Sequence, residues 1–231
     1  MALITGANRG IGLAIARALA SEGCNLVLTA RDPAKVNQVR RELKRRSQEV
    51  LTVPCDVRDP DDVRRLFVEI KKQFRRVDIL VNNAGVGHSN RSVEQLSYDA
   101  WRDVIDTNLN GTFLVTHFAL PLMKRGGAIV NNLSIAAKRV FPGSSAYNAS
   151  KHGELGLTNT LREELRPRGI RVIALLPGAT DTAIWKTLWP EAPRKKMMSP
   201  GTVAAAVIDA LCLPADSTLE ELVLLPSAGT L

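Results

Sequence analysis

The stretch T-G-A-N-R-G-I-G, from Thr5 to Gly12, decides the fold, because it follows an apolar run and precedes a helical pattern. Its glycines, Gly6, Gly10 and Gly12, permit a tight turn and let the backbone approach a ligand closely. A helix that begins here offers free N–H groups and a partial positive charge to an anion. The spacing differs from G-x-G-x-x-G, so a simple turn is the alternative. The strand–loop–helix context nevertheless favours a phosphate-binding loop.

Apolar, β-rich runs alternate with helical patterns along the chain. The candidate strands are Ala2–Thr5, Asn25–Thr29, Val50–Val53, Ile79–Val81, Ala128–Leu133, Arg171–Leu176 and Glu221–Leu225, and the early candidate helices are Ile11–Ala20, Ala34–Arg46 and Pro60–Phe74. Such alternation predicts a parallel sheet that is covered by helices on both faces. We therefore predict an α/β fold: a single doubly wound Rossmann-type domain over residues 1–231, with about seven strands.

The composition is basic, with a formal net charge of +8 and a pI of about 9.8. Such a charge is typical of proteins that bind nucleic acid or anionic ligands. The dense basic block Arg40–Arg46 lies in a helical pattern, and we interpret it as a solvated helix face. No RNA-binding aromatic motif or zinc-finger spacing accompanies it. We expect no specific nucleic-acid partner, and non-specific binding of anionic polymers is the weaker alternative.

The cysteines and the hydropathy bear on the compartment. Cys24, Cys55 and Cys212 are far apart and form no C-x-x-C, so a disulfide framework is not expected. The sequence has neither a signal peptide nor an apolar run of about 18 residues. We expect a cytoplasmic protein without a membrane partner. The chain opens directly on a predicted strand, so native residues could precede Met1.

The end of the second strand, L-T-A-R-D, bears on cofactor choice. Dinucleotide-binding folds place an acid about 20 residues after the glycine loop, where it holds the ribose 2′-hydroxyl. Here that position holds Ala30, and Arg31 follows it, while Arg9 lies inside the loop. Two guanidinium groups suit a ribose 2′-phosphate. This pattern favours NADP(H) over NAD(H), and Asp32 is the ribose acid if the alignment slips by two residues.

Further motifs follow in order. They are N-N-A-G at Asn82–Gly85, N-L-N-G at Asn108–Gly111, Ser134 at the end of a strand, Tyr147-x-x-x-Lys151, and P-G-A-T-D-T at Pro177–Thr182. Ser134 precedes Tyr147 by 13 residues. A lone Y-x-x-x-K is weak evidence, but together these motifs closely resemble the short-chain dehydrogenase/reductase family in its compact form. The resemblance runs from Thr5 to at least Thr182.

The resemblance implies two sets of site residues. The catalytic set would be Asn108, Ser134, Tyr147 and Lys151. The cofactor set would be Gly6, Asn8, Arg9, Gly10, Ile11, Gly12, Arg31, Asp56, Val57, Asn83, Ala84, Gly85, Tyr147, Lys151, Pro177, Gly178 and Thr182, with Asn82 mainly structural. One departure from the family pattern is Ala137, which stands where glycine is common near the substrate pocket.

The spacing of Tyr147 and Lys151 has a chemical meaning. Residues four apart on a helix lie on one face. A free phenol has a pKa of about 10, and a nearby ammonium favours its ionised form. The resemblance implies that Tyr147 donates a proton to a carbonyl oxygen while Ser134 hydrogen-bonds that oxygen, and that Asn108 holds a water in a proton relay.

We therefore predict an oxidoreductase that transfers a hydride between NADPH and a carbonyl or secondary alcohol. A catalytically silent NADPH-binding regulator is the alternative, although such a protein has no need of Tyr147 or Lys151. The absence of a G-x-S-x-G elbow argues against a hydrolase. The scattered histidines His88, His117 and His152 form no metal-like cluster, so we predict no metal site. The sequence does not distinguish ketone, sugar, steroid and 3-oxoacyl thioester substrates.

Two later regions concern the substrate and the assembly. The resemblance implies a substrate lid over residues 183–200, where Trp185, Trp189, Met197 and Met198 either line an apolar pocket or pack the lid onto the domain. It also implies that helices within Trp101–Lys124 and Ala146–Arg166 pair with symmetry mates. The apolar residues expected to form this contact are Phe113, Phe118, Leu155 and Leu157. We expect a homodimer or homotetramer.

Overall fold

The structure, a computed structural model, describes residues 1–44 and 49–229 and contains a seven-stranded parallel sheet. Its strands are β1 (Ala2–Thr5), β2 (Leu26–Ala30), β3 (Val50–Pro54), β4 (Val77–Asn82), β5 (Met123–Asn132), β6 (Arg171–Pro177) and β7 (Glu221–Leu224). Each predicted strand corresponds to one of these. The predicted α/β fold class is confirmed.

The order of the strands shows at which edge of the sheet a ligand crevice forms. The order is β3-β2-β1-β4-β5-β6-β7, so the chain runs outward from β1 to one edge and returns to the other side of β1 at β4. All neighbouring pairs are parallel, as in the register Ile4↔Leu28 between β1 and β2 and Ile4↔Val81 between β1 and β4. In such sheets the ligand crevice forms beyond the carboxyl ends of the strands where the order reverses.

Eight α-helices connect the strands in the described part of the chain. They are α1 (Gly10–Ser21), α2 (Pro33–Leu43), α3 (Pro60–Gln73), α4 (Tyr98–Ile105), α5 (Gly111–Ala119), α6 (Ser145–Leu165), α7 (Trp185–Leu188) and α8 (Pro200–Leu211). Four of them begin at a side-chain cap, which is Asp32 for α2, Asp59 for α3, Ser97 for α4 and Ser199 for α8. By contrast, α1 has no side-chain cap, which leaves its first N–H groups available to a ligand.

The core lies on both faces of the sheet. Ala2 and Ile4 of β1 pack among residues of α1, α2 and α8, and Leu3 between them packs among residues of α3, α5 and α6. All three side chains are fully buried. Successive side chains of a strand point to opposite faces, so a strand buried on both sides is apolar throughout.

Two predicted elements differ from the structure. The helical stretch Trp101–Lys124 is interrupted by a π turn at Asp106–Asn110, and its last two residues belong to β5. β5 begins at Met123 instead of Ala128, because Met123 pairs with Val77 beyond an irregularity in the ladder. The basic block is only partly described: α2 ends at Leu43, and Arg45 and Arg46 lie outside the described residues.

Residues 1–44 and 49–229 contain neither a helix suited to a bilayer nor a cluster suited to a metal ion. No helix in these ranges is both long and apolar enough to cross a bilayer. In the same ranges, no group of three or more His, Cys, Asp and Glu side chains is arranged to hold a metal ion. Cys55 and Cys212 are free thiols, and burial raises the pKa of Cys55 to about 12, which disfavours the reactive thiolate near neutral pH.

Candidate active site

A cleft of about 950 Å³ lies beyond the carboxyl ends of the strands. Its walls come from the segments that follow β1 to β6, so residues far apart in sequence meet in one place. The predicted site residues that line it are Gly6, Asn8, Arg9, Gly10, Ile11, Arg31, Asp56, Val57, Asn83, Ala84, Gly85, Ser134, Tyr147, Lys151, Pro177, Gly178 and Thr182. Two predicted residues, Gly12 and Asn108, lie behind this wall instead.

The glycine loop closes one end of the cleft. Gly6 has a φ of +62°, a conformation that side chains other than glycine rarely adopt. Gly12 is required for close packing, since a Cβ there would lie 2.3 Å from Asn83 Nδ2 and 2.6 Å from the Gly6 carbonyl oxygen. Gly12 therefore supports the loop from behind. The loop leads into the uncapped N-terminus of α1, which is a favourable place for a phosphate.

Positive charge lines the rim beside β2. Arg9 and Arg31 are exposed, and neither guanidinium group makes a hydrogen bond or an ion pair with any residue that the structure describes. Asp32, the alternative ribose acid, has its carboxylate turned toward α2. Its Oδ1 accepts from Ala34 N at 3.0 Å and from Lys35 N at 3.1 Å. The Lys35 ammonium also lies 3.0 Å from the Asp32 carboxylate, and these Lys35 contacts hold the pKa of Asp32 below its ordinary value.

Asp56 lies beside the same rim, after β3. Its carboxylate accepts from the Arg58 guanidinium, with Nε at 3.0 Å and Nη2 at 2.5 Å. This hydrogen bonding holds the pKa of Asp56 below its ordinary value, and the more distant charge of Arg31 acts in the same direction. Arg58 also pairs with Asp103 of α4 at 2.5 Å. Asp56 is thus an ionised, fixed carboxylate at the edge of the cleft.

A chain of amide hydrogen bonds joins the glycine loop to Lys151. Asn83 Nδ2 donates to the Thr5 carbonyl at 2.8 Å and to the Gly6 carbonyl at 3.1 Å. Asn132 Nδ2 donates to Asn83 Oδ1 at 2.9 Å, and the Asn132 carbonyl accepts from Lys151 Nζ at 3.1 Å. The position of the ammonium is therefore coupled to the loop that would hold a phosphate.

Ser134 and Tyr147 face the middle of the cleft. Ser134 follows β5, and its Oγ accepts from Ala136 N at 3.1 Å in the short turn Ile135–Ala137. That bond uses a lone pair and leaves the hydroxyl hydrogen for an acceptor in the cleft. Tyr147 lies in the first turn of α6, and the Lys151 ammonium is 5.8 Å from the centre of its ring.

Lys151 is almost completely buried and is paired. Its Nζ lies 2.6 Å from Oε2 of Glu154, one turn further along α6, and Glu154 Oε1 accepts from Thr112 Oγ1 at 3.1 Å. Burial lowers the pKa of Lys151, but attraction to Glu154 and Tyr147 outweighs burial, so the net shift is upward. Burial raises the pKa of Glu154 above its ordinary value, and the Lys151 charge opposes this only in part.

Asn108 is fully buried in the π turn between α4 and α5. Its Nδ2 donates to the Val86 carbonyl and to Ser150 Oγ, both at 3.0 Å, and its Oδ1 accepts from Val86 N at 2.8 Å. Ser150 precedes Lys151 on α6. The amide therefore joins the segment after β4 to the helix that carries Tyr147 and Lys151.

Residues 183–200 cover the cleft only in part. Trp185, Leu188 and Trp189 line it, whereas Met198 packs against the core on the α1 and α8 side. Of the two interpretations of this region, lining therefore fits the tryptophans and packing fits Met198. Arg194 holds residues 183–200 against the loop after β6. Its Nε donates to Asp181 Oδ1 at 2.6 Å and its Nη2 donates to the Thr182 carbonyl at 2.7 Å.

Sequence reasoning missed three residues of the site. Lys35 and Asn132 line the cleft, and Glu154 lies behind Lys151. Glu154 follows Lys151 by three residues on a helix, a spacing that predicts a contact between side chains. Lys35 carries a weaker signal, as a cation near the start of α2, and no motif marks Asn132.

Comparisons with known proteins agree with this geometry. The family model described as short chain dehydrogenase matches residues 1–193. A sepiapterin reductase of Chlorobaculum tepidum is 36% identical over 236 aligned positions, which cover 98% of this chain and 96% of that protein. A 3-oxoacyl-[acyl-carrier-protein] reductase of Staphylococcus epidermidis is 42% identical over 180 residues, 77% of this chain and 73% of that protein.

A solved structure has the same fold over almost the whole chain. The alcohol dehydrogenase of the archaeon Thermococcus sibiricus, complexed with 5-hydroxy-NADP, superimposes with a TM-score of 0.90 at 34% identity. The superposition covers 96% of this chain and 94% of that one. The family match extends over most of the chain, and the glycine loop and the Tyr147–Lys151 pair lie within it. The chain belongs to the short-chain dehydrogenase/reductase family of enzymes.

Proposed function

We propose that this protein is an NADP-dependent oxidoreductase that transfers a hydride between NADPH and a carbonyl or secondary alcohol, with Tyr147 as the general acid and base. One observation carries the proposal: Ser134, Tyr147 and Lys151 line the same cleft as the uncapped N-terminus of α1. A phosphate-binding end and a proton-donating end thus share one continuous space. Its volume, about 950 Å³, is in the range of cofactor and substrate sites.

The residues of the cleft fit NADP(H) better than NAD(H). Arg9 and Arg31 are exposed at the rim, where their guanidinium groups would hold a 2′-phosphate, and Lys35 adds a third cation. The Asp32 carboxylate also lines the cleft, but it caps α2 and is paired with Lys35, and these contacts compete with a ribose hydroxyl for its oxygens. The Thermococcus sibiricus structure, whose ligand is 5-hydroxy-NADP, supports the same choice. The remaining lining residues of the glycine loop and of Asn83–Gly85 would hold the rest of the dinucleotide.

The chemistry follows from three side chains. When bound, NADPH would supply the hydride to the carbonyl carbon. Tyr147 donates its phenolic proton to the carbonyl oxygen as negative charge develops there. Ser134 donates its hydroxyl hydrogen to the same oxygen and stabilises that charge. Lys151, whose ammonium donates to the Asn132 carbonyl, favours the phenolate that remains.

The proton lost by Tyr147 returns from solvent through the buried side of the site. Both hydrogens of the Asn108 amide are already donated, to Val86 and Ser150, so this side chain acts by holding the π turn against α6. A water in the relay would then be bound by the backbone of this turn. Asn108 belongs to the proposed catalytic set in that supporting role.

The substrate would enter between the turn after β5 and residues 183–200. Both segments would belong to a single domain that spans residues 1–231. Apolar and aromatic side chains dominate this part of the wall, including Ile135, Phe141, Leu188, Trp185 and Trp189. Such a wall suits an apolar ketone or its alcohol. Lys186, beside Trp185, also lines the cleft.

The exposed faces of α4 and α5 suggest an assembly. Tyr98 and Trp101 on α4 and Phe113 on α5 are large side chains with exposed fractions of 72%, 36% and 52%. Phe118, Leu155 and Leu157 pack against this chain's own core clusters, so among the four predicted contact residues Phe113 is the large exposed one. We propose a homodimer or homotetramer that buries this face against a second copy.

A screen of NADPH oxidation against ketones, aldehydes and 3-oxoacyl thioesters, with NADH in parallel, tests the function. We expect turnover of at least one apolar ketone, with NADPH preferred. If the protein binds NADPH but neither reduces any carbonyl nor oxidises any alcohol, the result would instead support the catalytically silent regulator.

A further inference from the structure

A buried carboxylate lies directly behind the proposed acid–base pair, and the mechanism above does not require it. Glu154 has an exposed fraction of 1%, and Lys151 one of 3%. A charged side chain is rarely buried so completely unless it is paired. The two charges are only 2.6 Å apart, from Glu154 Oε2 to Lys151 Nζ.

The pair is anchored from three elements. Thr112 of α5 donates to Glu154 Oε1 at 3.1 Å, and the Asn132 carbonyl at the end of β5 accepts from Lys151 Nζ at 3.1 Å. Within α6, Thr158 Oγ1 donates to the backbone carbonyl of Glu154 at 2.6 Å, which holds the helix, and not the carboxylate, at this residue. The carboxylate therefore has a fixed position, and the ammonium is shared between Glu154 and the cleft.

We propose that Glu154 is a positioning residue: its carboxylate anchors the Lys151 ammonium and offsets part of the positive charge that acts on the Tyr147 phenol. This inference rests on the proposed role of Tyr147. A lone ammonium would favour the phenolate strongly, whereas an ammonium paired with a carboxylate does so less. Glu154 thus limits how strongly Lys151 stabilises the Tyr147 phenolate, which suits proton donation during carbonyl reduction.

The other charged groups around α6 are engaged elsewhere. Arg102 of α4 and Asp106 of the π turn lie 4.0 Å apart and pair with each other. His117 of α5 stacks on Phe113 and meets Phe118 edge-on.

Three further cations near α6 also have partners. Lys138, which follows the turn after β5, pairs with Glu221, and Arg171 of β6 donates to the Leu211 carbonyl at 2.9 Å. Further along α6, Arg162 donates to the Val172 carbonyl. Lys151, Tyr147 and Glu154 are therefore the coupled set whose titration the proposal concerns.

Because the chain contains few tyrosines, the ionisation of the Tyr147 phenol can be measured directly in the protein without cofactor. The sequence contains two tyrosines, Tyr98 and Tyr147, and Tyr98 is 72% exposed on α4. In a Tyr98→Phe background, the ultraviolet absorbance of phenolate reports the ionisation of Tyr147 alone. We expect Glu154→Gln to lower the midpoint of that titration by about 1 pH unit, because it removes the negative charge and nearly preserves the shape.

Glu163→Gln in the same background is the matched control. Glu163 lies on the same helix, is exposed and is bound to Arg166 at 2.7 Å, so its replacement should leave the midpoint unchanged. Glu154→Asp keeps the charge and should restore most of the wild-type midpoint. Glu154→Met, which removes the charge and adds no polar group, serves if the glutamine variant does not fold.

The pH profile of alcohol oxidation gives the second readout. Its acid limb, which reports the base form of the site, should move to lower pH in Glu154→Gln by the same amount as the spectroscopic midpoint. An unchanged or raised midpoint in both carboxylate-free variants would overturn the inference. If Tyr147→Phe remains active, the proposed function itself fails, so the two failures can be told apart.

Discussion

Asp32 is the residue at which the choice between the two dinucleotides is decided. In the sequence it could serve as a ribose acid, but in the structure its Oδ1 accepts from two N–H groups of α2 and its carboxylate pairs with Lys35. A carboxylate engaged in this way stabilises the helix and keeps Lys35 near the rim. In the proposed assignment, Arg9 and Arg31 are the groups that would meet the adenosine ribose.

Replacing Arg9 and Arg31 with alanine tests this assignment. Each charge-assisted contact to a phosphate contributes about 1.5–3 kcal/mol, so each loss should weaken NADPH binding about 10- to 100-fold. Binding of NADH, which lacks the 2′-phosphate, should change little. Fluorescence titration with both nucleotides measures the ratio, and Lys195→Ala is a control for removing a surface cation. Equal affinity of the wild type for both nucleotides would contradict the assignment.

Single residues differ in how far the sequence predicts them. Tyr147 and Lys151 could be found because their spacing has a meaning on any helix, and the glycines because only glycine suits their turn. The positions of Gly12 and Asn108 behind the cleft wall could not, since burial depends on which distant segments pack there. Gly12 packs on Asn83, and Asn108 bonds to Val86.

At the scale of elements, the π turn between α4 and α5 sets which side chains reach α6, the helix that carries Tyr147 and Lys151. It brings Asn108 against Ser150 of α6, and α5 then begins in register for Thr112 to reach Glu154. A π turn is a common feature of functional sites, because it shifts the side chains that follow it around the helix. The apolar pattern of Trp101–Lys124 did not predict this interruption, since one extra residue hardly changes a helical periodicity.

Strands were easier to locate than their ends. Their centres are apolar because both faces of the sheet are covered, and this property is local to the sequence. The early start of β5 depends on the pairing of Met123 with Val77, which is set by a distant strand. The short helix α7 and the fastening by Arg194 likewise depend on contacts with the segment after β6.

Arg194 provides a test of the lid. Arg194→Ala removes an ion pair to Asp181 and a hydrogen bond to the Thr182 carbonyl, so residues 183–200 should cover the cleft less of the time. We expect KM for the substrate to rise about 3- to 30-fold, while kcat changes less. Lys195→Ala, in the same turn, is the control. Steady-state kinetics that show equal effects in both variants would exclude a fastening role for Arg194.

At the scale of the whole molecule, the strand order explains why one cleft serves both binding and chemistry. The order reverses between β1 and β4, and the loops after these strands carry Asn83 and the glycines that we propose bind phosphate. The long helix α6 returns Tyr147 and Lys151 to the same edge. The alternating pattern predicted this architecture, whereas the substrate depends on side chains of residues 183–200 that follow no such pattern.

The assembly can be tested on the purified protein. We expect light scattering at micromolar concentration to give at least a dimer, and Phe113→Arg to lower the mass, because a buried charge would face the partner copy. Val93→Arg is the control, since Val93 is 76% exposed outside the α4 and α5 face. A monomeric wild type would contradict the proposed interface.

The central claim is that Tyr147 donates the proton, and Tyr147→Phe tests it most directly. The ring and its packing survive in this variant, and only the hydroxyl is lost. The measurement is NADPH affinity by fluorescence titration beside the steady-state rate, on a carbonyl that the wild type reduces. Lys151→Ala is the contrasting variant, because it should lose cofactor affinity as well as turnover.

We predict that Tyr147→Phe binds NADPH as the wild type does and loses turnover by about 10²- to 10⁴-fold, the usual contribution of general acid catalysis. Retention of more than about a tenth of wild-type turnover, with chemistry rate-limiting, would show that Tyr147 is not the acid.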